Sequence, residues 1–130
     1  MTAMTLRSTE RTIPGWRKSQ QFLMSHPAVG ITYGQDNTGD LYNLQNQEVF
    51  AGLTGGKADI YTADGGFDFS ADYNGQESTV QRLLVAEAYA GIRALKVAPT
   101  STMIIKMFDT THAATLQFLW LLCSCFERTA

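Results

Sequence analysis

The sequence is short of the residues that build several kinds of site. It has two cysteines, Cys123 and Cys125, with only Ser124 between them. So small and close a pair makes no disulfide framework, points to a reducing compartment, and reads as two buried thiols on an apolar helix. Two histidines, His26 and His112, stand far apart in the chain, so no Cys/His set completes a zinc site. Asp68 and Asp72 share one loop but lack the ligand spacing of an EF-hand, and no metal is expected. Charge is also scarce. Charged residues make up 17 % of the chain and the formal net charge is -2, so no global basic field draws it toward nucleic acid. Any RNA contact needs a local basic patch or a partner. The most apolar run, Leu116 to Phe126, is too short for a bilayer span of about 20 residues. Met1 to Pro14 has no apolar signal core. Neither membrane insertion nor secretion is expected, and the chain reads as intracellular. No internal repeat or low-complexity tract stands out. No G-x-G-x-x-G follows the first candidate strand, which argues against a dinucleotide-binding oxidoreductase.

What is there suffices for one domain: 130 residues, 45 % of them hydrophobic. Residues 1–15, rich in Thr, Ser and Arg and without periodicity at their start, read as a flexible arm that ends at the Pro14-Gly15 turn. Trp16 to Ser25 predicts a short helix, and Ala28 to Tyr33 a strand. Asn43 is placed to cap a helix from Leu44 to Leu53 with Leu44, Val49, Phe50 and Leu53 facing inward. Ala58 to Ala63 predicts a second strand, running into Asp64-Gly65-Gly66. The clearest helix spans Glu77 to Val97, where Val80, Leu83, Leu84, Ala88, Ile92 and Leu95 keep the helical period and Pro99 supplies the stop. Thr102 to Phe108 predicts a third strand bounded by Asp109. A last helix, His112 to Glu127, has Thr110 or Thr111 as its expected cap. That helix is apolar nearly all round and should be buried, or covered by something outside the chain.

The order β-α-β-α-β-α argues an α/β layered domain, with a mostly parallel sheet flanked by helices. Right-handed crossovers bring the carboxyl ends of the strands to one edge, where ligands of open α/β sheets bind. Thr32, Asp64 and Lys106 fall at or just past those ends, so an acid and a lysine are expected to converge.

The residues at that edge resemble a known family. Thr62-Ala63-Asp64-Gly65-Gly66-Phe67 is similar to the "ADGGF" segment of FtsJ-type cap-specific mRNA 2'-O-methyltransferases. Ile104-Ile105-Lys106-Met107-Phe108-Asp109 is similar to their "ICKTFD"-type strand, at matching distance. Gly39-Asp40-Leu41-Tyr42-Asn43 resembles "GDIT", Gly30-Ile31-Thr32 resembles "GMT" or "GIT", and Cys125-Phe126-Glu127-Arg128 resembles the helix end after the lysine strand. Each motif alone is weak. Five in family order, from about Trp16 to Arg128, make a specific pattern.

The resemblance implies a partial Rossmann-like methyltransferase sheet over residues 16–130, S-adenosylmethionine as cofactor and capped RNA as substrate. Of the family's Lys-Asp-Lys-Glu tetrad, Asp64 matches the aspartate and Lys106 the second lysine. Asp40 matches the acid that meets the cofactor's adenine, Gly30 to Thr32 would line its ribose side, and Asp64 lies beside the cofactor. The family's glycine-rich cofactor loop and first lysine lie before the segment that Trp16-Arg17-Lys18 matches; Ile13-Pro14-Gly15 is only a faint echo of that loop. The tetrad's glutamate lies beyond the segment that Arg128 matches. The expectation is therefore a truncated domain with two of four tetrad positions present. Cytoplasm, nucleus and viral factory all remain compatible.

A lysine takes a proton from a ribose 2'-hydroxyl only when neutral, so the ordinary lysine pKa of about 10.4 must fall, through desolvation or nearby positive charge. With Asp64 beside it and no first lysine, slow or no turnover is expected of this chain by itself. The opposing reading is a non-catalytic methyltransferase-like interaction module of a capping complex, with a protein partner or further segments over the apolar last helix. Taken alone, Lys106 is a solvated strand end, Asp64-Gly65-Gly66 a tight turn, and Asp40 a loop acid. Glu77 and Glu87 read as a first-turn acid and part of a solvated helix face. Phe67, Phe69 and Tyr73 either stack on an RNA base or cover the core.

Overall fold

The structure is a computed structural model and describes residues 1–8, 16–66 and 76–130. Its elements are β1 (Thr2–Met4), a 3-10 turn (Arg17–Ser19), α1 (Gln20–Ser25), β2 (Gly30–Thr32), α2 (Leu44–Thr54), β3 (Ile60–Ala63), α3 (Gln76–Ala94), β4 (Thr102–Ile105) and α4 (Ala113–Cys123). The alternation is the α/β order that the periodicities predict, and every strand pairing is parallel.

The strands form two pairs and not one sheet. β1 lies beside β2 in the register Thr2 to Gly30, and β3 beside β4 in the register Ile60 to Thr102. Thr2–Met4 is a strand within the stretch read as a flexible arm, and the anticipated strands are parallel, as expected, but divide between two small sheets. A three-residue strand shows no alternation, and its partner lies too far along the chain for local reading to find. The Gly30 N–H donates to the Met1 carbonyl and the Met1 ammonium to the Ala28 carbonyl, so tertiary pairing fixes this segment. Residues 9–15, the rest of the expected arm, lie outside the described residues.

α2 begins where its cap predicts: the Asn43 side chain accepts from the Gln45 N–H at 3.0 Å. It ends at Gly55, whose φ of 60° is the left-handed conformation that a glycine adopts without cost. The inward face differs from the apolar reading. Phe50 and Ala51 are buried together with Asn46 and Gln47, while Leu44 and Leu53 are about 60 % exposed. The reason is hydrogen bonding. Gln47 Nε2 donates to the Leu41 carbonyl at 2.6 Å, and Asn46 Nδ2 donates to the Asp40 carbonyl at 3.0 Å. Buried amides that satisfy loop carbonyls displace leucines from the inward stripe.

α3 links β3 to β4 as the long crossover that a parallel pair requires. Val80, Leu84, Ala88, Ala90 and Ala94 are buried, and Ile92 faces outward. Gly91 lets the helix settle onto the sheet, since a Cβ there would come within 2.6 Å of Tyr61 and Met103. Phe50, Tyr61, Ala90, Ala94 and Leu95 form the core, with Met4, Leu41, Ala58, Ala63, Met103 and Phe126 packed around it. The Phe50 and Tyr61 rings meet edge to face at 6.4 Å. One cluster thus ties β1, α2, β3, α3 and β4 together.

α4 corrects two expectations, its cap and its cysteines. His112, without a side-chain cap bond, precedes it in place of Thr110 or Thr111. Only Thr115 of the helix is buried, and Leu116, Trp120 and Leu121 are exposed, so of the two alternatives expected for this helix, burial within the chain is the one not seen. A helix that is apolar on every side can offer one side to α3; the others face outward here. Cys123 and Cys125, read as buried thiols, are both exposed at its far end. Among the described residues no helix is long and apolar enough to cross a membrane.

Candidate functional site

Because β3 and β4 run parallel with Ala63 opposite Ile105, the next residue of each strand emerges at the same edge. Those residues are Asp64 and Lys106. The Lys106 N–H donates to the Ala63 carbonyl at 2.9 Å and carries the ladder one step further. The Lys106 ammonium and the Asp64 carboxylate form an ion pair, with the side chains 49 % and 75 % exposed. Lys106 Nζ also lies 5.2 Å from the centre of the Phe108 ring, within cation–π range. The acid and lysine picked out by sequence therefore meet in space, at the open carboxyl end of the only strand pair that α3 crosses among the described residues.

Beneath the pair lies a residue that the sequence reading placed elsewhere. Glu87 was expected on a solvated helix face, yet it is 3 % exposed. Its Oε1 accepts the Gly65 N–H at 2.8 Å. Gly65 has to be glycine for this approach, because a Cβ there would fall 2.4 Å from that same oxygen. Glu87 Oε2 is buried and has no hydrogen-bond partner among the described residues. Burial pushes the Glu87 carboxyl above the ordinary glutamate range. The Gly65 N–H opposes the shift, the Asp64 carboxylate adds to it, and the Lys106 ammonium opposes it. A signal for this position existed: residues 80, 84, 87, 91 and 94 recur at helical spacing and all are buried. An acid inside such a stripe is a buried acid, and reading only apolar residues hides it.

The raised value has a consequence for stability. The native chain keeps the Glu87 proton to higher pH than the unfolded chain does. Stability therefore falls as pH rises from the ordinary glutamate range through the raised value, and it is not regained above it. Glu87→Gln removes that slope. Its melting temperature is expected to match the wild type at about pH 4 and to exceed it at about pH 8. An equal difference at both would contradict the buried-acid assignment.

Asp40, Gly30 and Thr32 belong to the neighbouring strand pair and its loop. Asp40 Oδ1 accepts the Tyr42 N–H at 2.8 Å, and the Asp40 N–H donates to Thr38 Oγ1 at 3.0 Å. Asp36 anchors this loop: it accepts from the Thr38 hydroxyl and N–H, from Asn46 Nδ2 and from Asn43 Nδ2. Those bonds, the Thr38 hydroxyl foremost, hold its carboxyl well below the usual carboxylate range. Gly30 is exposed, and Thr32 Oγ1 accepts the Gly34 N–H at 3.1 Å, which bends the chain as it leaves β2. Among the described residues no hydrogen bond or ion pair joins Asp40, Gly30 or Thr32 to the Asp64–Lys106 pair. Tyr42 is within electrostatic reach of both Asp40 and Glu87. The Arg82 guanidinium lies 4.3 Å over its ring. Burial raises the Tyr42 hydroxyl pKa, Arg82 lowers it, and the charges of Asp40 and Glu87 raise it further. Tyr61 is likewise raised, by burial first and then by Glu87.

Asp68, Asp72, Phe67, Phe69 and Tyr73 lie outside the described residues, as does the side chain of Glu77. Among the described residues no group of three or more His, Cys, Asp or Glu could hold a metal ion.

The arrangement sets an exposed ammonium against a carboxylate at a strand edge, with a second, buried carboxyl beneath the turn between them. Such a set can hold a hydroxyl-bearing substrate and exchange a proton with it. Comparison with known proteins finds relatives over most of the chain. Over 99 residues, 75 % of this chain, it is 34 % identical to the cap-specific mRNA (nucleoside-2'-O-)-methyltransferase 1 of Trypanosoma cruzi. Over 109 residues it is 29 % identical to the probable methyltransferase EP424R of African swine fever virus, and 31 % identical to the cap-specific mRNA (nucleoside-2'-O-)-methyltransferase 2 of Danio rerio. The matches cover 27 %, 25 % and 14 % of those proteins, so the chain spans about a quarter or less of the length of these relatives. No protein-family model and no solved structure matches.

Proposed function

The chain belongs to the FtsJ-like cap-specific mRNA 2'-O-methyltransferase family, and on that premise we propose that its Asp64–Lys106 edge serves methyl transfer from S-adenosylmethionine to a ribose 2'-hydroxyl of capped RNA. The observation that carries the reading is the ion pair itself. Two residues separated by 42 positions, each matching a family catalytic position, meet at the carboxyl edge of a parallel pair.

Lys106 is the proton acceptor. Its Nζ receives the hydroxyl proton once it is neutral, and Lys106 stands just past the end of β4, half exposed, at the open edge of the strand pair. Asp64 holds Nζ in place between turnovers and offers a carboxylate to cationic parts of the bound molecules. Burial of Glu87 favours its neutral form, which limits the negative charge beside the pair. The donor set suits S-adenosylmethionine: an exposed carboxylate at Asp64 faces a molecule that carries positive charge, and Asp40, half-buried in a preformed loop, offers a carboxylate to adenosine N–H or O–H groups. Gly30 and Thr32 flank the same loop. When bound, that cofactor supplies the electrophilic methyl group.

The test is transfer of labelled methyl from S-adenosylmethionine to capped RNA under single-turnover conditions, followed by nuclease digestion. The label is expected on a ribose 2'-oxygen near the cap. Label on a base, or no transfer by a chain that binds the cofactor, would remove the catalytic assignment and leave a binding module.

A further inference from the structure

Glu87 is the one acid of the described site with no place in the family pattern or in the mechanism's proton path. It projects from α3, and α3 packs beneath β3 and β4. Three observations converge on it. It is 3 % exposed, where an acid is rarely left without purpose. One oxygen takes the N–H of Gly65, the residue after Asp64. The glycine's missing side chain is what admits that oxygen, since a Cβ would stand 2.4 Å from it and 2.9 Å from Leu83 Cδ2.

We propose that Glu87 is a positioning residue: it clamps the turn after β3 through the Gly65 N–H and so holds the Asp64 carboxylate where it meets Lys106. The inference deepens, and rests on, the methyl-transfer reading of the site. The turn needs such a clamp. Asp64 is three-quarters exposed, and the strand ladder ends with the Lys106 N–H on Ala63. From Asp64 onward the only described bond from this turn's backbone into the body of the domain is the one to Glu87. Helix α3 is packed through Val80, Leu84, Ala88, Ala90 and Ala94, so the carboxyl is delivered from a rigid element. The Asp64 carboxylate and the Lys106 ammonium both act on the Glu87 carboxyl, the first raising and the second lowering its pKa, which places Glu87 within electrostatic reach of each member of the pair.

Glutamine at 87 keeps the acceptor oxygen and the volume. Leucine keeps only the volume. Alanine at 65 keeps Glu87 but drives its oxygen away. The experiment measures, on the full chain, amide hydrogen exchange at Gly65 by NMR, the single-turnover rate of methyl transfer, and the half-saturating concentration of S-adenosylmethionine. Glu87→Leu is expected to speed Gly65 exchange at least tenfold while the Ala90 amide in α3 keeps its rate. Transfer should fall at least tenfold, with half-saturation within twofold of wild type. Glu87→Gln should stay within threefold on every measure, a rescue that simple core packing would not separate from leucine. If Glu87→Leu fails to fold, Gly65→Ala against Glu87→Gln gives the same contrast. Unchanged Gly65 exchange in Glu87→Leu, or glutamine as impaired as leucine, would overturn the clamp. If no variant and no wild type transfers methyl but the exchange pattern holds, the methyl-transfer reading fails and the clamp on the turn stands.

Discussion

Lys106→Ala is expected to lower methyl transfer by roughly 10²- to 10⁴-fold, the usual contribution of a positioned acid–base group, while cofactor binding and folding stay near wild type. The asymmetry follows from where Lys106 sits. Its side chain is half exposed and makes one ion pair, also exposed, so the pair itself is worth only about 0–1 kcal/mol to the fold. The proton path, in contrast, rests on Lys106 alone in this assignment, since the Arg82 guanidinium lies over the Tyr42 ring and guanidinium groups do not serve as bases. Lys106→Arg sharpens the test. A guanidinium can keep the bond to Asp64 but cannot act as the base, so it should be as inactive as alanine. Rates measured at equal cofactor saturation check both. An active arginine variant would show that position 106 contributes charge and not proton transfer.

Gly39→Ala should be the most damaging glycine-to-alanine change among the described residues. Gly39 has a φ of 70°, in the left-handed region that side chains disfavour, and the added Cβ would lie 1.8 Å from the Thr5 carbonyl oxygen and 2.6 Å from its carbon. Both obstacles are backbone, so no rotamer relieves them. Either the segment after β1 moves or the loop that carries Asp40 does. The Arg7 N–H to Thr38 carbonyl bond and the Gly39 N–H to Tyr33 carbonyl bond lie on either side of the clash and should be lost with it. Strain and lost bonds together are expected to cost on the order of 3 kcal/mol, a fall in melting temperature on the order of 10 °C. The Gly30 amide, held by the Met1 carbonyl, should exchange faster as β1 leaves β2. A melting temperature within about 2 °C of wild type would mean that the β1 contact is not part of the folded loop.

How much of this was legible in the sequence depends on which interactions are local. Asn43 as a cap, the long α3, and Asp64 and Lys106 as partners at a strand edge all follow from patterns within one element and its neighbour. They hold in the structure. Three features escaped because they are written in contacts between distant segments. β1 is a Thr-Ala-Met triplet that becomes a strand only through β2. Asn46 and Gln47 took inward positions that the apolar pattern assigned to Leu44 and Leu53, since loop carbonyls needed donors. Glu87 stands in an otherwise apolar stripe, where its charge made it look like surface. For Asp40, Gly30 and Thr32 the structure supplies a preformed loop, held by Asp36 and Asn46.

Cofactor recognition is assigned to the Asp64 edge together with the neighbouring Asp40 loop. The measurement is equilibrium binding of labelled S-adenosylmethionine to the 130-residue chain, with Asp40→Ala beside it and folding of both verified. Saturable binding to the wild type that weakens at least tenfold in Asp40→Ala is the predicted result. A folded wild-type chain that does not bind, or equal binding by both, would contradict the assignment of this edge and loop as a cofactor site.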